Sequence, residues 1–248
     1  MKTHNYSKKF YEFIEHSSGR SASVFISKIN LGYKINSILD VGCGLGVWLK
    51  AWQEQGVENV FGIDGSYVDK DALHISRDNF YALDLTQPFD LKKRFDLVEC
   101  LEVAEHIAES SADILIASLI KHGDIILFSA AIPGQGGEHH VNEKPLEYWA
   151  THFAAQGYHA YDYPRRKTQG ILEIEPWYRY NTIIYANAAG CARMSTEVQA
   201  FAQAPDMKFK NFASVYWRVR CLLIRLLPFK FTNWLSLLKH FWTLRRLR

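Results

Sequence analysis

The sequence contains no acidic residue beyond Asp206. All 26 Asp and Glu residues lie at or before that position, and residues 1–207 carry a net charge of −7. Residues 208–248 carry ten Lys and Arg residues and a net charge of +10. This asymmetry indicates a separate C-terminal element that binds an anionic partner. The rest of the chain is long enough for one large domain.

Long apolar runs and paired cysteines are also missing. No stretch reaches the roughly 18 apolar residues that a membrane-spanning helix needs, and residues 1–10 lack the apolar segment of a signal peptide. The four cysteines form no Cys-x-x-Cys pair and no metal-finger spacing, so we expect free thiols in a reducing compartment. These absences predict a cytoplasmic protein, either soluble or peripheral on the inner face of the membrane.

Three glycines at a spacing of two follow a short apolar run. Residues 37–41 are typical of a buried strand, and Gly42, Gly44 and Gly46 separate it from an amphipathic helical pattern. Glycines at such a turn let the backbone approach a ligand closely, and the helix N-terminus offers free N–H donors. The spacing differs from the Gly-x-Gly-x-x-Gly of the dinucleotide fingerprint.

With Asp40 two residues before the first glycine, the segment resembles motif I of class I S-adenosylmethionine (SAM) methyltransferases. The resemblance implies that backbone at the three glycines passes close to the methionine part of SAM. Asp64, 22 residues after Gly42, ends the next apolar run, where an acid would hold the ribose hydroxyls. The resemblance also places Asp84 and Leu85 beside the adenine, with the acid accepting from the exocyclic amine.

Some of these cofactor assignments have simpler alternatives. Tyr67 would lie against the adenine or occupy a surface turn. Asp84 would bind the adenine or cap a helix ahead of Thr86. Leu101, at the end of the fourth predicted strand, completes the predicted cofactor-binding set.

Strand and helix patterns alternate along the chain, which favours a doubly wound parallel sheet. Later strands are predicted at residues 80–85, 94–101, 124–129, 158–163 and 178–185. The resemblance implies a seven-stranded Rossmann-like α/β methyltransferase sheet, with helices on both faces and the last strand antiparallel. The predicted divisions are an N-terminal helical cap (1–36), a SAM-binding methyltransferase domain (37–190), and a linker with a basic amphipathic helical tail (191–248).

The N-terminal cap is predicted to contain two short helices within residues 5–30, broken at Gly19. These helices would cover the sheet edge or close over the cofactor and substrate as a lid.

Two loops carry the candidate catalytic residues. The first holds Glu102, Glu105 and His106 after the fourth strand, and the second holds His139 and His140 after the fifth. Both loops leave the carboxyl edge of the predicted sheet, where ligands bind. Their carboxylates and imidazoles could bind a divalent metal ion that lowers the pKa of an acceptor hydroxyl.

The metal has alternatives that stay open. His139 or His140 would act as a metal-free general base, because imidazole titrates in the right range. In the third alternative, the acids and histidines of both loops only shape the pocket. The candidate metal ligands are Glu102, Glu105, His106 and either His139 or His140.

The Glu-x-x-Glu-His pattern resembles that of small-RNA 2′-O-methyltransferases and some ubiquinone-pathway O-methyltransferases, where it holds a metal. It also occurs in methyltransferases without one. Residues 129–143 resemble a bacterial subgroup often associated with surface-polysaccharide pathways. The resemblance implies O-methylation of a sugar hydroxyl on a glycan or lipid-linked precursor. An RNA acceptor, a quinone-like acceptor, a nucleotide-binding oxidoreductase and a non-catalytic membrane-associated scaffold remain alternatives.

The basic tail contains two amphipathic segments, at residues 215–227 and 232–246, separated by Pro228. Helices of this kind lie in a membrane interface. The alternatives are packing on the domain or on a second subunit, and binding to nucleic acid. Abundant Leu, Phe and Trp argues against nucleic acid, since phosphate binding needs charge. We therefore expect residues 208–248 to contact an anionic membrane surface; the sequence leaves the oligomeric state open.

Overall fold

The structure is a computed structural model that describes residues 8–204 and 208–227. In this part of the chain, seven strands form one sheet in the order β3-β2-β1-β4-β5-β7-β6. Strand β7 is antiparallel to both of its neighbours, and the other pairs are parallel. The strands are β1 (Ser37–Val41), β2 (Asn59–Asp64), β3 (Phe80–Ala82), β4 (Leu97–Leu101), β5 (Ile125–Ser129), β6 (His159–Tyr161) and β7 (Ile183–Ala186). The predicted seven-stranded sheet with an antiparallel last strand is confirmed.

Helices cover both faces of this sheet. They are α1 (Lys8–Lys28), α2 (Val47–Glu54), α3 (Ala112–His122), α4 (Leu146–Ala155), α5 (Tyr163–Thr168), α6 (Pro176–Asn181), α7 (Ala188–Arg193), α8 (Thr196–Gln199) and α9 (Val215–Arg225). None of the described helices combines the length and apolar character that crossing a membrane requires.

Neighbouring residues of one strand point into opposite layers of the core. Ile38 packs in the layer that contains Phe25 and Trp48, whereas Leu39 packs in the layer that contains Leu115 and Trp149. Because both faces are covered, β1, β4 and β5 are apolar on both sides, as is usual for parallel strands. The sheet is therefore a rigid support for the loops at its carboxyl edge.

The predicted break at Gly19 is wrong, because α1 runs through that residue without interruption. One internal glycine costs a helix only about 1 kcal/mol relative to alanine. Tertiary packing offsets that cost, since a Cβ built on Gly19 would lie 3.4 Å from Val47 Cγ1 and Phe25 packs edge-on against Trp48. A Cβ at this position would be in ordinary van der Waals contact, so packing of α1 on α2 does not depend on glycine here.

The predicted strand at 178–185 is wrong in its first half, where α6 precedes β7. Pro176 stands in the first turn of α6, a position that favours helix initiation. The alternating aromatic residues mimic a strand, but Tyr178 contacts Trp48 and Tyr180 packs toward the C-terminal helix α9. The first two predicted strands have the expected bounds, and the strands predicted at 80–85, 94–101, 124–129 and 158–163 are present but shorter.

The ordered core continues beyond residue 190. Met194 and Val198 are buried, and Ala202 forms an isolated bridge with Tyr161. The first predicted tail segment forms α9, whereas the second, at 232–246, lies outside the described residues.

Candidate active site

The glycine turn after β1 depends on left-handed backbone. Gly42, Gly44 and Gly46 have φ values of 84°, 54° and 83°, which glycine adopts at little cost. A Cβ on Gly42 would lie 2.3 Å from Val103 Cγ2, so no side chain fits there. The corresponding position on Gly44 has no atom within 4 Å, which leaves open space above the turn.

Asp64 ends β2 and fastens this turn. Its carboxylate accepts hydrogen bonds from the backbone N–H of Gly44 at 2.7 Å and of Gly65 at 2.6 Å. The exposed Tyr67 donates its hydroxyl to the same carboxylate. Burial raises the pKa of Asp64, and the three hydrogen bonds oppose that rise. The predicted ribose acid and Tyr67 are thus brought together, with Tyr67 in a surface turn.

Asp84 lies in an exposed turn after β3. It accepts from the Thr86 hydroxyl at 2.7 Å and from the Thr86 N–H at 3.0 Å, and these bonds hold the pKa of Asp84 below its usual range. No helix lies in the fully described stretch between β3 and β4, so the predicted helix-cap alternative is wrong. Asp84 instead closes a turn through its own side chain. Leu85 is half-buried nearby, and Leu101 is buried at the end of β4. Their contacts with adenine stay predictions.

A pair of buried acids lies beneath the glycine turn. Asp40 on β1 is directly opposite Glu99 on β4, and Trp52 Nε1 donates to Glu99 at 2.8 Å. Burial raises the pKa of Glu99 to about 8. Burial and the charge of Glu99 also raise the pKa of Asp40. Two such neighbours share protons.

Glu99 was missed by the sequence reasoning. A signal was present, because Glu99 is the one charged residue in the otherwise apolar run Leu97–Leu101, and fully buried unpaired glutamates are rare.

Glu102 begins the loop after β4 and is anchored away from the histidines. Its backbone is left-handed, with φ of 57°. Its Oε2 accepts from Gln135 Nε2 at 2.6 Å, and Gln135 Oε1 accepts from Asn181 Nδ2 at 2.8 Å. Burial raises the pKa of Glu102. These hydrogen bonds join the loops after β4 and β5 to the end of α6.

His140 lies between two carboxylates. Its Nδ1 is 2.9 Å from Glu143 Oε1, and its Nε2 is 4.0 Å from Glu105 Oε1. The ring of His106 stands perpendicular to it, with ring centroids 4.9 Å apart. His106 is exposed at the rim of this group. Desolvation by the surrounding chain, followed by the charge of His140, lowers its pKa to about 4, so this imidazole is neutral near pH 7.

Glu143 fixes both the histidine and the loop before it. Besides His140 it accepts hydrogen bonds from the N–H groups of Gly134 and Gly136, both at 2.7 Å. Burial works against ionisation, but these three bonds outweigh it and lower the pKa of Glu143. A Cβ on Gly137 would lie 2.1 Å from His140 Nε2, so the ring packs directly over that glycine. The imidazole therefore has one orientation in this loop.

Glu105 is 1% exposed, and neither of its carboxyl oxygens makes a well-formed hydrogen bond within the described chain. Burial and the charge of Glu102 raise its pKa well above the usual range. A buried carboxyl without partners is costly unless a cation or a ligand compensates.

One group of described residues could hold a metal ion. Ligand atoms of Glu105, His106 and His140 all lie within 4.8 Å of one another, and one carboxylate with two imidazoles suits a borderline divalent ion. The Glu105 carboxyl, which lacks a well-formed hydrogen bond, fits this role. The structure does not bring Glu102 or the exposed His139 into the group.

Comparison with known proteins identifies the family. Residues 25–165, more than half of the chain, match a family model described as a methyltransferase domain. A ubiquinone biosynthesis O-methyltransferase from Alkalilimnicola ehrlichii is 35% identical over 111 residues, which are 40% of this chain and 42% of that protein. The chain thus spans less than half the length of this relative.

Solved structures share the fold. DesVI from Streptomyces venezuelae superimposes with a TM-score of 0.55 at 11% identity, over 75% of this chain and 100% of its own. CalS10, a SAM-bound amino pentose methyltransferase from Micromonospora echinaspora, gives 0.52 at 18% identity, over 75% and 99%. An O-methyltransferase family protein from Burkholderia thailandensis gives 0.54 at 12%, over 72% and 58%. The chain belongs to the methyltransferase-domain family.

Proposed function

We propose that this enzyme transfers the methyl group of SAM to a sugar hydroxyl on a glycan or lipid-linked precursor, with His140 as general base. The observation that carries the proposal is the hydrogen bond from His140 Nδ1 to Glu143. It leaves Nε2 free to accept a proton on the side that faces Glu105. A hydroxyl needs such a base, because its own proton is only weakly acidic.

SAM would be held by the turn that follows β1. The open space at Gly44 admits the methionine part beside the backbone of Gly42 and Gly46, and Asp64 would accept from the ribose. Bound SAM supplies an electrophilic methyl on a sulfonium ion. The buried pair Asp40 and Glu99 lies below this position, and burial raises the pKa of both acids, so they stay mainly protonated near pH 7.

The chain's own contribution to the reaction is alignment and proton removal. Glu143 presets the tautomer and the ring orientation of His140, as a third group orients the base in other enzymes. An oriented base contributes typically about 10²–10⁴-fold to a rate. In-line placement of acceptor and methyl contributes more.

A metal-assisted reaction is the second candidate, and the unpaired Glu105 carboxyl favours it. Glu105, His106 and His140 would hold the ion, which would lower the pKa of the acceptor hydroxyl. In that arrangement His140 is a ligand and is no longer available as a base.

Two observations support a sugar as the acceptor. Segment 129–143 resembles the glycan-associated subgroup, and CalS10 acts on an amino pentose. The matched relative is a ubiquinone biosynthesis O-methyltransferase. This similarity supports a hydroxyl acceptor, but one on a quinone precursor and not on a sugar.

Transfer of label from methyl-radiolabelled SAM tests these alternatives. The acceptors are a nucleotide-linked sugar, a lipid-linked sugar, a quinol and a small RNA, each assayed with and without EDTA. We expect label in a sugar and equal rates with EDTA. Label confined to the quinol or the RNA would overturn the glycan assignment. Loss of activity in EDTA, with recovery on adding a divalent metal, would replace the base by the metal.

A further inference from the structure

Helix α9 has two apolar faces. One face packs on the domain through Trp217 and Cys221, which are buried against Tyr180. Of the ten large apolar side chains that are exposed in the described chain, six lie on the opposite face of α9: Val215, Tyr216, Val219, Leu222, Leu223 and Leu226. Their spacing of three and four residues forms one continuous stripe along the helix. We call these six residues the outer stripe.

The helix is firmly attached to the domain, so the outer stripe is not the result of a detached tail. Arg165 donates to the carbonyl of Lys210 and lies over the ring of Phe212, and Phe209 N–H donates to Glu147 at 2.9 Å. These contacts hold the segment that leads into α9. The outer stripe is therefore a fixed part of the protein surface.

Charge decides which partner fits the outer stripe. Arg218 and Arg225 are exposed on one flank of it, and residues 208–248 contain no acid. Two copies facing each other along α9 would bring these arginines together without a counter-charge in the segment. An anionic bilayer offers both an apolar layer for the stripe and phosphates for the arginines.

The same helix touches the loop that carries the base. A Cβ on Gly134 would lie 2.2 Å from the carbonyl oxygen of Cys221, and Arg220 donates to the Gln135 carbonyl at 2.7 Å. The N–H of Gly134 is in turn bound by Glu143, the carboxylate that orients His140. A surface that binds the outer stripe is therefore separated from this loop by the thickness of one helix, about 10 Å.

We infer that the outer stripe docks on an anionic phospholipid bilayer and presents the His140 site to an acceptor carried by that bilayer. The second half of this inference rests on the proposed function. The first half does not, because docking requires no acceptor and no turnover.

Vesicle sedimentation of the full chain tests the docking. The vesicles are pure phosphatidylcholine, and phosphatidylcholine with about one third phosphatidylglycerol. We expect binding to the anionic vesicles, weaker binding at high salt because the arginines are screened, and little binding to the neutral ones. The double variant Leu222→Gln/Leu226→Gln should bind anionic vesicles about tenfold more weakly, because both side chains leave the lipid phase.

The matched control is Leu172→Gln, which changes an equally exposed leucine outside α9 and should bind like the wild type. Calorimetry with SAM confirms that each variant is folded. Wild-type binding by the double variant, or no binding by the wild type, would overturn the docking. A dimer in light scattering that the double variant converts to monomer would assign the outer stripe to a second copy instead. Docking without methylation of any lipid-linked sugar would leave the docking intact and overturn the second half of the inference, together with a lipid-linked acceptor in the proposed function.

Discussion

The proposed active site has two sides, which differ in how their polar groups are hydrogen-bonded. The SAM side comprises the glycine turn and Asp64, and the acceptor side comprises Glu105, His106 and His140. On the SAM side the carboxylate of Asp64 is bound by two backbone N–H groups and by Tyr67. On the acceptor side the equally buried Glu105 has no well-formed partner in the described chain, and His140 Nε2 stops 4.0 Å short of it. The first side is preformed, whereas the second has unused bonding capacity that an acceptor or a cation would take up.

Replacing His140, the proposed base, should produce the largest difference between the two sides. His140→Gln removes the proton acceptor on the acceptor side only, so kcat should fall about 10²–10⁴-fold while the SAM dissociation constant stays within about twofold. Methyl-transfer kinetics and calorimetry measure the two effects.

His139→Gln is the matched variant, because His139 is the exposed neighbour on the same loop. We expect a much smaller loss. An equal loss in both variants would indicate that the loop, and not the imidazole of His140, is what matters.

Adding one methyl group to the SAM side should have the next largest effect. Gly42→Ala places a Cβ 2.3 Å from Val103 Cγ2 on left-handed backbone. The free energy of unfolding should fall by about 3 kcal/mol, from backbone strain plus overpacking. Urea denaturation measures it.

Gly157→Ala is the control for this change. Gly157 also has left-handed backbone, with φ of 78°, but nothing lies within 4 Å of its Cβ position. Only the strain of about 1–2 kcal/mol should remain. Equal losses in the two variants would show that Val103 moves away at no cost.

The change in slope expected per pH unit is the smallest of these effects, and it concerns the buried pair under the SAM side. The pKa of Glu99 is about 8 in the folded chain and near 4.5 when unfolded. Between these values the folded state holds a proton that the unfolded state has lost. The contribution of Glu99 to stability should therefore be complete below pH 4.5 and be lost as the pH rises to 8, by at most about 1.4 kcal/mol per pH unit for one proton.

Glu99→Gln keeps an oxygen that can accept from Trp52 and removes the titration, so its stability should depend less on pH in this window. Denaturation at a series of pH values provides the slopes. A variant with the wild-type slope would assign the titration to other groups.

The SAM side was predictable because its determinants are local. Asp40, Gly42, Gly44 and Gly46 stand within seven residues, and Asp64 follows at the end of the next strand. The backbone alone carries each of them to the carboxyl edge of the sheet, so their order along the chain sufficed.

The acceptor side was predictable only as a set of candidates. The sequence identified Glu105, His106 and His140 but not the role of Glu143, nor the bonds from Glu102 through Gln135 to Asn181. Those contacts join residues 33 and 46 positions apart, and no local spacing reports them. The break at Gly19 was wrong for a similar reason, since packing on α2 outweighs a weak local preference.

The packing of His140 over Gly137 limits how the acceptor specificity could be engineered. The space that a side chain at 137 would occupy already holds the imidazole ring. A library that randomises this position would mostly displace the ring rather than reshape the pocket wall. Glu138 and His139 do not make that contact, so substitutions there would leave the imidazole of His140 over Gly137.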